Sequence, residues 1–150
     1  MILSNFDMYK MNEFIKIPNL KIITKIELNN IKFNNNKDNF IVNFDDYNDG
    51  THWVSIYQNI YFDSYGIIAP DDIENYMKKG YVYNDIQLQP LNKNNLYCGW
   101  FCLYFLDYMN NHNDDNIIKF HNFIKLFDFN NIENNKKIIY DYFIKRIKNV

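Results

Sequence analysis

Three residues of this chain have the types and the local settings of a nucleophile, its base and the group that orients the base. Cys98 stands where an aromatic-rich helix is predicted to begin, His52 begins one predicted strand, and Asp63 ends the next. The dipole and the unpaired backbone amides of a helix start favour the thiolate, which is the reactive form of cysteine. An imidazole can stabilise a thiolate, and a carboxylate can orient the imidazole. This combination predicts nucleophilic catalysis by Cys98.

A predicted hairpin positions the histidine and the aspartate. Residues 52–57 and 60–63 have the composition of strands, and only Gln58 and Asn59 separate them. Two-residue connections are typical of tight hairpins. Because a hairpin brings its outer ends together, we expect His52 and Asp63 to lie within reach of each other.

The other predicted elements surround this hairpin and the nucleophile helix. Apolar periodicity and turn residues predict a helix over 8–15 that ends before Pro18, a strand over 40–44, a short helix after Pro70, a strand over 81–88 followed by a polar loop over 90–95, a buried central helix over 98–109, and helices over about 115–127 and 132–148. Residues 20–28 are rich in β-branched side chains without a clean alternation. The pattern predicts an α+β fold in which a small, mostly antiparallel sheet packs against the nucleophile helix and flanking helices.

Composition limits the class of protein. With 150 residues the chain is predicted to form one domain, 1–150, and its 47% apolar and 19% aromatic residues argue against disorder. The formal net charge of -2 gives no basic field for non-specific nucleic-acid binding, so we expect no requirement for nucleic acid. No secretory signal or membrane-spanning segment is predicted, so we expect no membrane partner. The spacing of the potential ligands predicts no metal site.

The two cysteines, Cys98 and Cys102, are one helical turn apart. This spacing matches disulfide geometry poorly, so no structural disulfide is expected. A thiol that must stay reactive suits a reducing compartment. Cys102 is predicted to lie one turn deeper, as an inert thiol of the core.

Three motifs resemble those of a known protease family. Gly-Thr-His-Trp-Val at 50–54, Tyr-Phe-Asp-Ser-Tyr-Gly at 61–66 and Cys-Gly-Trp-Phe-Cys at 98–102 occur, with a glutamine ahead of the third motif, in the order of the adenovirus-type (adenain-like) cysteine proteases. The SUMO-protease relatives share this order, and the resemblance is nearest to the versions from virophages, Polinton-like elements and large DNA viruses. It covers roughly residues 40–110. It implies a papain-like cysteine-protease fold of the adenain and SUMO-protease type.

The resemblance assigns a role to each site residue. It implies that His52 is the base, that Asp63 orients it, that Cys98 is the nucleophile, and that a glutamine helps to form the oxyanion hole. The family places this glutamine about six or seven residues before the cysteine, whereas Gln89 lies nine and Gln87 eleven residues before it. Gln89, followed by a longer loop, is the first choice. Gln87 remains possible because alternate residues of a strand share a face.

Two further residues are predicted to lie near the substrate. We expect Trp53 to pack beside His52 and to limit the motion of its ring. We expect Gly99 to let the backbone come close to the substrate or to a covering segment. The resemblance implies no cofactor.

The resemblance also implies a function. It predicts a cysteine endopeptidase, a viral maturation protease that cleaves capsid or core protein precursors and works as a monomer in the virion and in the viral factory of the host-cell cytoplasm. One alternative is a deubiquitinase-like or deSUMOylase-like isopeptidase. Another is a catalytically inactive binding or scaffold protein with the same fold. The joint presence of His52, Asp63 and Cys98 argues against the inactive protein, because a decayed enzyme tends to lose at least one of them.

Overall fold

The computed structural model describes residues 3–33, 38–44, 52–91 and 97–149. In these residues, helices surround one five-stranded sheet, which confirms the α+β class. The elements are α1 (Asn5–Ile15), β1 (Leu20–Thr24), α2 (Lys25–Asn29), β2 (Asn39–Asn43), β3 (Trp53–Tyr57), β4 (Ile60–Phe62), α3 (Asp71–Glu74), β5 (Val82–Tyr83), α4 (Cys98–Asn111), α5 (Asn116–Ile124), a 3-10 turn (Ile132–Asn134) and α6 (Asn135–Lys148).

The sheet is mixed, with the strand order β1-β2-β3-β4-β5. The central strand β3 is antiparallel to both of its neighbours, β2 and β4, whereas the outer pairs β1 with β2 and β4 with β5 are parallel. The expectation of a mostly antiparallel sheet is therefore wrong. Parallel neighbours need a crossover connection, and here α2 lies between β1 and β2 while α3 lies between β4 and β5.

Alternate side chains of β3 enter two different cores. Trp53 belongs to the core that contains most of α4, together with residues of α1, α5 and α6. Val54 and Ile56 belong to the core on the opposite face, which α2 and α3 close with Leu28 and Ile73. The nucleophile helix is thus held between one face of the sheet and three other helices.

One predicted strand is shorter than expected, and the segment 20–28, for which the pattern was ambiguous, contains both a strand and a helix. Residues 20–28 divide into β1 and α2, because Thr24 ends the strand and caps the helix by accepting a hydrogen bond from the backbone N–H of Glu27. The predicted strand over 81–88 is limited to β5, because the side chain of Asn84 hydrogen-bonds backbone groups that a longer strand would pair. Most of the predicted loop over 90–95 lies outside the described residues, as do positions 50 and 51 of the first motif.

Candidate active site

The β3–β4 hairpin brings the predicted base and its carboxylate together. His52 directly precedes β3 and Asp63 directly follows β4, and the Nε2 atom of His52 lies 2.8 Å from the Oδ1 atom of Asp63. Both residues are buried, with exposed fractions of 7% and 1%. A hydrogen-bonded ion pair that is shielded from water is stronger than an exposed one. The predicted proximity of these two residues is confirmed.

Backbone and side-chain contacts hold the Asp63 carboxylate in place. Its Oδ1 atom also accepts a hydrogen bond from the backbone N–H of Tyr65, at 2.8 Å. The buried side chain of Asn84 accepts from the backbone N–H of Asp63 at 3.1 Å and donates to its carbonyl at 2.6 Å. The sequence analysis assigned no role to Asn84. The available signal was a polar residue within a predicted strand.

Two aromatic rings flank the imidazole of His52. Tyr65 stacks on it with 4.3 Å between the ring centroids and 10° between the planes, and Phe44 meets it edge-on at 5.0 Å. The side chain of Trp53 belongs to the core around α4, which also contains Cys98. Tyr65 and Phe44 supply ring contacts that the sequence analysis did not assign, whereas a restraint by Trp53 and its contact with substrate stay predictions.

Cys98 is the first residue of α4 and lies beside His52. Burial lowers the pKa of His52, but the interactions with Asp63 and with the Cys98 sulfur outweigh this effect and raise the pKa from 6.5 to about 9. The Nε2 atom of His52 is hydrogen-bonded to Asp63, and the buried Nδ1 atom of His52 has no hydrogen-bond partner among the described residues. Nδ1 is therefore the nitrogen left to interact with the thiol.

Cys102 lies one turn further along α4 and belongs to the core. Its exposed fraction is 1%, and burial raises the pKa of its thiol well above the usual value. Such a thiol stays protonated and is a poor nucleophile. Both cysteines are free. The predictions that Cys98 begins the helix and that Cys102 lies in the core are confirmed, but Cys98 is also buried and belongs to the same core.

The two candidate glutamines differ in how their amides are engaged. Gln89 is fully buried, and its Oε1 atom accepts a hydrogen bond of 2.7 Å from the hydroxyl of Ser64. This bond directs the oxygen end of the amide toward Ser64 and turns the Nε2 donor away from it. Gln87 donates its own Nε2 hydrogen to the carbonyl of Gln89 at 2.9 Å. An oxyanion hole needs a donor, and the choice of Gln89 over Gln87 stays a prediction.

Gly66 allows the turn after Asp63 to pack against the segment that carries the glutamines. The turn is closed by a 2.8 Å hydrogen bond from the Gly66 N–H to the Asp63 carbonyl. Gly66 has a φ of +72°, and a Cβ atom there would lie 2.6 Å from the carbonyl carbon of Ile86. Only glycine tolerates both conditions.

Gly99 faces the amino-terminal segment of the chain. A Cβ atom at this buried position would lie 3.2 Å from Cβ of Leu3 and 3.4 Å from Sδ of Met8. The close approach that the sequence predicts at Gly99 is thus made by α1 and the residues before it. An additional contact of Gly99 with substrate stays a prediction.

A groove of about 580 Å³ runs between α4 and α6. Tyr97, the residue before Cys98, lines it together with Trp100, Tyr140, Phe143 and Ile144. These side chains are largely apolar, whereas Cys98, His52 and Asp63 are not among the lining residues.

No protein-family model matches the chain, and no curated protein matches it. Within the described residues, His, Cys, Asp and Glu side chains form no group of three or more that could bind a metal ion. The same part of the chain contains no helix with the length and apolar character required to cross a bilayer. The function must therefore be argued from the arrangement of Cys98, His52 and Asp63.

Proposed function

We propose that this chain is a cysteine endopeptidase that cuts protein substrates by a Cys-His-Asp mechanism. The observation that supports it most is the buried pair of His52 and Asp63, 2.8 Å apart, beside Cys98 at the start of α4. The raised pKa of His52 keeps its imidazole protonated at neutral pH. A protonated imidazole stabilises a thiolate and can donate a proton to a leaving amine.

In the first half of the proposed reaction, the Cys98 thiolate attacks the carbonyl carbon of the scissile peptide bond. The carbonyl oxygen becomes an oxyanion, and backbone N–H groups at the start of α4 and the Nε2 donor of Gln89 are suited to bind it. When the intermediate collapses, the carbon–nitrogen bond breaks and His52 gives its proton to the leaving amine. The product is a thioester on Cys98 and a new amino terminus.

In the second half, a water molecule attacks the thioester. The neutral imidazole of His52 takes a proton from the water, and the carbon–sulfur bond breaks to release the new carboxyl terminus. Asp63 holds the ring and stabilises its charged form each time it is protonated. The pair ends the cycle as thiolate and imidazolium.

The resemblance to the adenovirus-type proteases supports a narrower proposal. We propose a maturation protease that cuts capsid or core precursors in the virion and in the viral factory of the host cytoplasm. We propose that such a protein substrate lies in the groove lined by Tyr97, the residue before Cys98 in the chain. No cofactor or nucleic acid takes part in the proposed steps.

The first test is the rate of alkylation of each thiol by iodoacetamide, located by mass spectrometry, between pH 5 and 9. Cys98 is 2% exposed, so a small reagent is required. At pH 7 we expect Cys98 to react at least about 10-fold faster than Cys102, and this advantage to be lost in His52→Ala. Equal, slow labelling of both cysteines would contradict an activated thiol and would favour a binding protein with the same fold.

The second test is cleavage. The chain is incubated with a peptide library from a denatured proteome, and new amino termini are identified by mass spectrometry. We expect cleavage by the wild type and by Cys102→Ala, and none by Cys98→Ala. Asp63→Asn should lower the rate about 10³-fold, whereas Asp38→Asn, in an exposed ion pair with Lys21, should not change it. If only lysine-linked ubiquitin-like conjugates are cut, the chain is an isopeptidase.

A further inference from the structure

Ser64 connects the carboxylate of the candidate site with the glutamine. It is 1% exposed and follows Asp63 directly in the turn after β4. Its hydroxyl donates a 2.7 Å hydrogen bond to Oε1 of Gln89, a residue 25 positions away. Its carbonyl accepts hydrogen bonds from the backbone N–H groups of Leu88 and Gln89, at 2.9 Å and 3.0 Å.

The backbone and the side chain of Ser64 have separable effects. The two hydrogen bonds to its carbonyl hold the main chain of 88–89 against the turn, and they do not depend on the side chain. The hydroxyl contacts the amide of Gln89 and so acts on the orientation of that group. Removing the hydroxyl therefore leaves the main-chain hydrogen bonds in place and takes away one restraint on the amide.

We propose that Ser64 is a positioning residue that fixes which end of the Gln89 amide faces the reacting carbonyl. This inference rests on the proposed function. An amide has an acceptor end and a donor end of similar shape, and only the donor end stabilises an oxyanion. With the Ser64 hydroxyl bonded to Oε1, the Nε2 donor points away from Ser64. Without it, the amide loses this preference, and the reversed orientation would present an oxygen to the developing negative charge.

The turn after β4 thereby positions both the proposed base and the proposed oxyanion donor. Asp63 orients His52 through the carboxylate, and Ser64 orients Gln89 through the hydroxyl. Gly66, which closes the turn, lets it approach the main chain of 86–87 closely enough for the Ser64 bonds to form.

The test compares two reactions of the Cys98 sulfur. With iodoacetamide, the sulfur attacks a saturated carbon, a carbon–sulfur bond forms and iodide leaves, so no oxyanion develops. With p-nitrophenyl acetate, the sulfur attacks a carbonyl carbon, an oxyanion forms, and p-nitrophenolate leaves with the electron pair of the broken bond to give an acetyl thioester. An amide that binds the oxyanion accelerates only the second reaction.

We expect Ser64→Ala to lower the rate of acetylation about 10-fold and to leave the rate of alkylation within about 2-fold of the wild type. Ser64→Thr keeps a hydroxyl and should restore most of the acetylation rate. Gln89→Ala should lower acetylation, and the double variant Ser64→Ala, Gln89→Ala should be no slower than Gln89→Ala alone, because Ser64 acts through Gln89. Ser55→Ala is the matched control. Ser55 is a fully buried serine whose hydroxyl interacts with the Cys102 thiol, and its removal should change neither rate at Cys98.

Each other result overturns the inference. Equal losses in both reactions would mean that Ser64 supports the fold or the thiol instead of the amide. An unchanged acetylation rate in Ser64→Ala, or additive losses in the double variant, would mean that the hydroxyl does not act through Gln89. A wild-type chain whose Cys98 is neither alkylated rapidly nor acetylated would overturn the proposed function and this inference with it. That failure is distinct, because it is seen before any variant is made.

Discussion

The ring of Tyr65 lies parallel to the imidazole of His52, with 4.3 Å between their centroids and 10° between their planes. The backbone N–H of the same tyrosine donates a hydrogen bond to the Asp63 oxygen that pairs with His52. Tyr65 thus contacts both partners of the buried pair, one through its ring and one through its main chain. The face of an aromatic ring attracts a cation, so the stack favours the protonated imidazole.

This stack leads to a prediction about the side chain of Tyr65. Tyr65→Leu removes the ring but keeps the backbone hydrogen bond, so we expect the pKa of His52 to fall and the alkylation rate of Cys98 at pH 8 to fall about 3-fold. Tyr65→Phe keeps the ring and should stay within about 2-fold of the wild type. The pKa is measured by NMR titration of the labelled imidazole.

A second stacked pair supplies the control for the Tyr65 variants. Tyr108 stacks on His112 at 3.8 Å, at the far end of α4. Tyr108→Leu should leave the alkylation of Cys98 unchanged. Equal effects of Tyr65→Leu and Tyr65→Phe would contradict the role of the ring.

The raised pKa of His52 predicts how stability depends on pH. Burial lowers this pKa, but Asp63 and Cys98 raise it to about 9, above the value of 6.5 that applies to the unfolded chain. The folded state therefore binds the proton more tightly. The resulting stabilisation is fully present below pH 6.5 and is lost as the pH rises toward 9. Its size is about 3 kcal/mol.

Urea denaturation at half-unit steps between pH 6 and 9 measures this effect. We expect the free energy of unfolding of the wild type to fall over this window, and that of His52→Gln to fall much less, because glutamine does not titrate. Burial raises the pKa of the Cys102 thiol well above its usual value, and because both proteins contain this thiol its contribution cancels in the comparison. Parallel curves for the two proteins would show that His52 has no raised pKa.

The turn glycines form a matched pair for a test of backbone strain. Gly66 and Gly80 both have a positive φ, +72° and +81°. A Cβ atom at Gly66 would overlap the main chain of Ile86, whereas at Gly80 it would meet no atom within 4 Å. Gly80→Ala should cost about 1 kcal/mol of unfolding free energy from the left-handed conformation alone. Gly66→Ala should cost at least about 3 kcal/mol, because overlap adds to the same strain.

In Gly66→Ala, the added Cβ atom should push the turn away from the main chain of 86–87. Because this turn carries Asp63, we also expect a loss of reactivity at Cys98. Unfolding in urea and alkylation at pH 7 are measured on both alanine variants. Equal destabilisation of the two would show that the close approach of the turn has no energetic importance.

The sequence predicts the part of the site that depends on local signals. A two-residue connection between two strands is enough to predict that His52 and Asp63 meet. The change from a polar loop to an aromatic-rich segment is enough to place Cys98 at a helix start. Each of these features is evident from about a dozen neighbouring residues.

The remaining parts depend on contacts between distant residues. Asn84 bonds the main chain of Asp63 across 21 positions, and Ser64 bonds Gln89 across 25. The periodicity of a sequence does not indicate such side-chain contacts, so the shortened β5 and the role of Ser64 could not be predicted. The parallel outer strands were missed for a related reason, because a crossover through a short helix has no local signature that separates it from a hairpin connection.

A last prediction concerns the ion pair that joins the nucleophile helix to α6. Asp107, on α4, is 1% exposed and lies 3.1 Å from Nε of Arg146. The same guanidinium donates to the carbonyl of Ile15 at 2.9 Å, and the hydroxyl of Tyr142 donates to Asp107. Arg146→Met would leave a buried carboxylate without its cation and the end of α1 without its donor. We expect a loss of about 2–3 kcal/mol in unfolding free energy.

Lys137→Met is the matched control for Arg146→Met, because it removes an ion pair of similar length, 2.7 Å to Asp141, that is mostly exposed. It should change the unfolding free energy by less than about 0.5 kcal/mol. Asp107 lies nine residues, or about 14 Å, along α4 from Cys98. In folded Arg146→Met, iodoacetamide should therefore alkylate Cys98 at a rate within about 2-fold of the wild-type rate. Comparable losses of stability in the two variants would show that the buried pair contributes no more than an exposed one. A large loss of alkylation in Arg146→Met would show that the pair also acts on the candidate site.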